Sequence, residues 1–100
     1  MLFLLDVDID YGRLGEKRDQ ILAEEWGTSR QLYAEGTMLR IWRKANAQGA
    51  VAVWDVPDHE TLNEKIRAMP LYPYFRKIRA IPLVPHPKFP QWAKPDPDRG

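Results

Sequence analysis

One hundred residues with 44% hydrophobic and 29% charged side chains fit one compact domain, which excludes a two-domain enzyme and an intrinsically disordered chain. The absence of cysteine removes disulfides, thiolate metal sites, iron–sulfur clusters and a Cys nucleophile together. Fifteen basic against fourteen acidic residues leave a net charge of +1 without a long block of one sign, so no nucleic-acid or anionic-membrane footprint is present, and a small neutral or anionic ligand fits better.

Residues 1–9 alternate Phe3, Leu5, Val7 and Ile9 against Asp6 and Asp8, which predicts a strand with one wet face in its second half. The opening apolar run meets Asp6 too early to be a signal or spanning segment, and a cytoplasmic protein is expected. From about Leu14 to Glu35 the apolar spacing turns helical, with Gly36 placed for a left-handed helix end. Met38 to Lys44 and Ala50 to Val56 read as a hairpin around Ala45-Asn46-Ala47-Gln48-Gly49. A second helix is expected over about His59 to Met69, capped by Asp58 and stopped by Pro70. Arg76 to Val84 is the last strand, with Pro82 suited to a sheet edge.

The order strand, helix, strand, strand, helix, strand specifies an α+β, ferredoxin-like βαββαβ fold with both helices on one face of an antiparallel sheet. Covering the other face by a second sheet gives a dimeric α+β barrel, and a chain this short gains buried area by such pairing. The expected domain spans residues 1–87; residues 88–100, punctuated by Pro90, Pro95 and Pro97, form a proline-rich arm in which Phe89 and Trp92 provide docking groups.

On a helical wheel stepped by about 100° per residue, Leu14, Ile21 and Leu32 gather on one side and Leu22, Trp26 and Tyr33 on the other. Glu25 falls between them, inside the apolar arc. A carboxylate there is either paired, with Arg40 or Arg43 as partners, or carries a raised pKa suited to acid/base chemistry. Arg40 and Arg43 point to opposite faces of their strand. Arg43, sharing a face with Leu39 and Ile41, suits a ligand carboxylate or an ion pair equally. His86, between two prolines, is a pocket proton carrier or simply a polar residue in an extended segment. Trp42, Trp54, Tyr72 and Tyr74 line an aromatic cavity or fill core and interface. No His or Cys pair at ligand spacing, Gly-rich phosphate loop or Ser-His-Asp set is present, so neither metal nor cofactor is expected.

Met1-Leu2-Phe3-Leu4, Ala23-Glu24-Glu25 with Leu32 and Gly36 following, Ile41-Trp42-Arg43, Trp54-Asp55-Val56, Met69-Pro70-Leu71-Tyr72-Pro73-Tyr74 and His86-Pro87 together resemble the muconolactone isomerase family. The resemblance runs over about residues 1–87, without a gap from Ile21 to Val56. It implies a ferredoxin-like subunit that dimerises and assembles into a decamer, and a cofactor-free isomerase of the catechol branch of the 3-oxoadipate pathway that moves a double bond within a butenolide. Chloromuconolactone dehalogenases share this architecture. The family's acid/base glutamate falls on Glu25, and Arg43, Arg40, Gln48, Trp42, Tyr74 and His86 are the expected substrate-contacting set. The sequence departs from the pattern at Gln48 and Ala50, where the family has Tyr and Asn, and at Arg40, where it has His. Two readings from other classes stand beside the isomerase: a non-catalytic small-molecule binder on the same fold, and a cyclase or cofactor-free monooxygenase of the dimeric-barrel type.

Overall fold

A computed structural model describes residues 1–93. Its elements are β1 (Leu2–Ile9), α1 (Arg18–Ala34), β2 (Met38–Arg43), β3 (Gly49–Asp55), α2 (His59–Arg67) and β4 (Phe75–Leu83). The four strands form one antiparallel sheet in the order β2-β3-β1-β4, the ferredoxin-like βαββαβ topology expected from the sequence.

The two-residue period of β1 sorts its side chains cleanly. Phe3, Leu5, Val7 and Ile9 are buried on the helix side, where they join Leu22 and Leu32 of α1 and Leu62 and Ile66 of α2 in one core. Leu2, Leu4, Asp6 and Asp8 occupy the opposite, outer face. Register carries the division across the sheet: Leu5 stands opposite Ala52 and Ala80 on the core side, and Leu4 opposite Val53 and Ile81 on the outer side.

The long helix starts later than the periodicity suggests. Two 3₁₀ turns, Tyr11–Arg13 and Gly15–Lys17, precede it, and Gly15 at φ +60 breaks the helical path. Leu14 reaches the core from that irregular segment, which is why its spacing mimics a helix position. Trp26 and Tyr33 fall outside the buried arc and stand exposed, so the buried stripe is Leu22, Glu25 and Leu32. α2 behaves as expected, with Asp58 Oδ1 accepting the Thr61 N–H at 2.7 Å.

The hairpin holds two local devices. Ala47, not a glycine, takes the left-handed backbone at φ 60 in the turn. Gly49 is demanded by close approach instead: a Cβ there would lie 1.9 Å from the Val7 carbonyl oxygen of β1. In β2 the register slips between Met38 and Arg40, leaving Leu39 unpaired. Met38 and Ile41 therefore both serve the helix side although they are three residues apart. Met38, rather than Leu39, takes the core position.

The outer face divides into an apolar half, with Leu2, Leu4, Val51, Val53, Ile81 and Leu83, and a charged half. In the charged half the Lys44 ammonium bridges Asp6 and Asp8, 2.6 Å from the Asp8 carboxylate. After β4 the chain turns back in a stack of His86 on Phe89 (5.0 Å) and Phe89 on Trp92 (4.4 Å). Trp92, Phe89 and His86 line an open groove of about 490 Å³ with Leu2, Trp42 and Val53 of the outer face. The expected arm is thus described as far as Ala93; its last seven positions, 94–100, lie outside the described residues.

Candidate active site

The wheel position of Glu25 translates directly into burial: it is only 7% exposed, between Leu22 and Leu32 on the core-facing stripe of α1. It lines a cavity of about 40 Å³ between helices and sheet, whose other walls include Val7, Met38, Ala52, Met69 and Phe75. All of these are apolar. A space of that size holds about one water, whose share of the liquid is roughly 30 Å³.

The Leu71 backbone N–H donates to Glu25 Oε1 at 2.9 Å. The segment after α2 is built to present that donor. Pro70 contributes no N–H, Leu71 is buried, and successive turns tie Tyr72 N–H to the Met69 carbonyl (2.9 Å) and Tyr74 N–H to the Leu71 carbonyl (2.8 Å). Burial raises the Glu25 pKa above its ordinary value, and the Leu71 hydrogen bond offsets part of that rise. No cation among the described residues contributes. The ion pair with Arg40 or Arg43 that the sequence left open is not how Glu25 is accommodated. Glu25 is instead a desolvated carboxylate fixed by one backbone donor, the environment that makes a carboxylate a stronger proton acceptor.

The other expected site residues separate into two groups. Arg43 is on the helix side of the sheet, opposite Ala50, which lines the Glu25 cavity; its own side chain is exposed at the end of β2. Tyr74 is half-buried against the core, beneath the Arg13 guanidinium at 5.7 Å, and precedes the cavity-lining Phe75. Gln48 anchors the same end through its carbonyl, which accepts the Ile9 N–H at 2.8 Å. It lines a polar cleft of about 440 Å³ with Asp10, Tyr11, Arg76 and Lys77, and that cleft shares Ile9 with the cavity.

Arg40, Trp42 and His86 belong to the second group. They line the outer-face groove, across the sheet from Glu25, and do not meet it within one chain. The register slip in β2 fixes this, since Arg40 pairs with Val53 and Trp42 with Val51. His86 Nδ1 accepts the Lys88 N–H at 3.2 Å, a local turn contact. Sequence reading missed Met38, Met69 and the Leu71 N–H as site components. The slip hides Met38, and a backbone donor leaves no mark in a side-chain pattern. Among the described residues no group of three or more metal-binding side chains comes together, and no helix is long and apolar enough to cross a membrane.

Comparison with known proteins places this geometry in context. The family profile described as muconolactone delta-isomerase matches residues 1–89. Muconolactone Delta-isomerase of Cupriavidus pinatubonensis is 32% identical over 89 residues, covering 87% of this chain and 96% of that protein. The Pseudomonas putida enzyme of the same name is 34% identical over 74 residues, 74% of this chain and 73% of its own. The crystal structure of a muconolactone isomerase superposes with a TM-score of 0.77 at 31% identity, covering 87% of this chain and 92% of the other. A 5-chloro-2-hydroxyhydroquinone dehydrochlorinase from Burkholderia phenoliruptrix, solved with 2,5-dihydroxybenzoquinone, shares the fold with a TM-score of 0.70 at 14% identity, over 89% of this chain and 99% of that one.

Proposed function

Because this chain belongs to the muconolactone delta-isomerase family, we propose that it is an isomerase moving the double bond of muconolactone, or of a close butenolide analogue, through proton transfer by Glu25. The observation that carries the assignment of the base is the buried Glu25 carboxylate, set on an apolar cavity and held by the Leu71 N–H.

Deprotonation beside an unsaturated lactone breaks a C–H bond and sends its electron pair through the ring to the carbonyl oxygen, giving a dienolate. The carboxylate takes that proton and returns one to a different ring carbon, so the net change is the position of the double bond. No redox group enters the balance. The desolvated carboxylate has the raised basicity the first transfer needs, and the resulting carboxylic acid, whose proton exchanges with solvent while the dienolate persists, donates a proton to the ring. The Leu71 N–H holds one oxygen of the carboxylate so that the group does not rotate away between the two transfers.

Substrate recognition follows from the basic end of the molecule. Arg43 at the end of β2, and Arg76 beside Gln48 in the adjoining cleft, supply cations for the fixed carboxylate of the lactone. Entry of a five-membered ring requires the lining to give way, and Met38 and Met69, unbranched and adaptable, are the walls that move at least cost. Subunits associate through the outer face, where the apolar half of the sheet and the groove carrying Arg40, Trp42 and His86 are covered by a second copy. Following muconolactone by proton NMR tests the function: conversion to the isomerised lactone is expected, and an unchanged spectrum at high enzyme concentration contradicts it.

A further inference from the structure

Trp54 is the largest fully buried side chain among the described residues, at 0% exposure, flanked on the core side of the sheet by Phe3 of β1 and Met38 of β2. Its ring fills space as any core aromatic does. Its nitrogen does not fit that role: Nε1 is the one buried side-chain nitrogen or oxygen among the described residues without a hydrogen-bond partner. Burying an indole N–H unpaired is costly, and Phe would occupy the site without that cost.

Trp54 lines the same cavity as Glu25. The remaining lining residues there, Leu5, Val7, Ile9, Ile41, Ala50 and the methionines among them, carry no side-chain hydrogen-bonding N–H or O–H. Among the described residues that line the cavity, one side chain therefore exchanges protons and one can only donate a hydrogen bond. An indole N–H does not ionise at physiological pH, so it stabilises an oxygen without competing for the proton.

We propose that Trp54 is a substrate-contacting residue whose Nε1–H binds the ligand oxygen on which negative charge develops when Glu25 takes the ring proton. The inference rests on the isomerase reading and adds the donor that reading lacks. It divides the chemistry between two residues: Glu25 accepts a proton and returns one, and Trp54 holds the dienolate oxygen, with no proton leaving the indole. It also defines the ligand class as a compound with a carbonyl oxygen conjugated to the acidic C–H. An apolar ring without such an oxygen leaves Nε1 unpaired and binds less well.

The test uses the intact chain labelled with ¹⁵N, in which four indole N–H resonances are expected and that of Trp54 is identified by its loss in Trp54→Phe. Muconolactone is titrated into Glu25→Gln, so that ligand persists. A downfield movement of the Trp54 indole proton, together with a loss of about 10²-fold in kcat/KM for Trp54→Phe, borne more by kcat than by KM, is the expected result. The acid limb of the pH profile stays in place in Trp54→Phe, because Glu25 remains the base. If muconolactone moves the Met38 and Met69 methyl signals but not the Trp54 N–H, or if Trp54→Phe keeps kcat/KM within about twofold, the assignment of Trp54 is overturned and the isomerase reading stands. An indole proton already downfield without ligand and unmoved by it has the same meaning. Absence of both turnover and binding in the wild type defeats the isomerase reading and this inference with it. The titration needs Trp54 intact, so if Trp54→Phe fails to fold the decision rests on the resonance, assigned by elimination with Trp26→Phe, Trp42→Phe and Trp92→Phe.

Discussion

Glu25 Oε1 and the backbone N–H of Leu71 meet at 2.9 Å across 46 positions of sequence, joining the middle of α1 to the segment that follows α2. The carboxylate is thus positioned by the chain rather than by a cation. Burial raises its folded-state pKa above the ordinary value of 4.5. For an acid shifted upward, folding carries no penalty below the unfolded pKa and loses stability as pH climbs from there through the folded value. Glu25→Gln, which keeps an oxygen for Leu71, is expected to match the wild type in acid and to melt at higher temperature near neutral pH. Thermal unfolding of both proteins across that range checks it. The same shift sets the acid limb of kcat/KM above the range of an exposed glutamate.

Lys44 presents the opposite sign. Its ammonium lies between Asp6 and Asp8 on the outer face and, through the hydrogen bond first, lowers the Asp8 pKa below 3.8. Stability from that contact is fully present above the unfolded pKa and is lost as pH falls through the lower, folded one. Lys44→Met should therefore melt below the wild type at neutral pH, with the gap closing in strong acid and shrinking with added salt. A gap that does not depend on pH contradicts the ionic account.

Gly49→Ala tests the close approach of β3 to β1. The added Cβ would lie 1.9 Å from the Val7 carbonyl oxygen, a backbone atom that cannot swing aside. The expected loss is at the upper end of the roughly 0.5–3 kcal/mol typical of point substitutions, measured by denaturant unfolding. Gly27→Ala, with nothing within 4 Å, is the matched control and should be neutral or slightly stabilising.

Val53→Arg addresses the pairing of subunits. Val53 faces outward beside Leu4 and Arg40, on the wall of the groove that also holds Trp42 and Trp92. A charge there should reduce the molar mass seen by light scattering while the circular dichroism of the subunit is retained, because the helix-side core is untouched. An unchanged mass would move the interface elsewhere.

Much of this fold is legible in the residues because β1, the hairpin and α2 follow simple periods with explicit turn and cap signals. Glu25 stands out for the same reason, as an acid within an apolar stripe. The start of α1 is not legible, since Leu14 has helical spacing but enters the core from a 3₁₀ segment broken at Gly15. Met38 is obscured by a register slip, which strand parity does not anticipate. The expected substrate set mixed two faces because parity within β2 says which residues oppose one another, not which side faces the helices. Arg40, Trp42 and His86 went with Glu25 by resemblance, and the pairing of β2 with β3 places them across the sheet.

The most direct test of the central claim is solvent exchange: muconolactone is incubated in deuterated buffer with wild type or Glu25→Gln, and deuterium entering the ring is followed by NMR. The account predicts isomerisation accompanied by deuterium incorporation in the wild type and loss of both in the variant. Isomerisation that persists in Glu25→Gln would contradict the assignment of Glu25 as the residue that carries the proton.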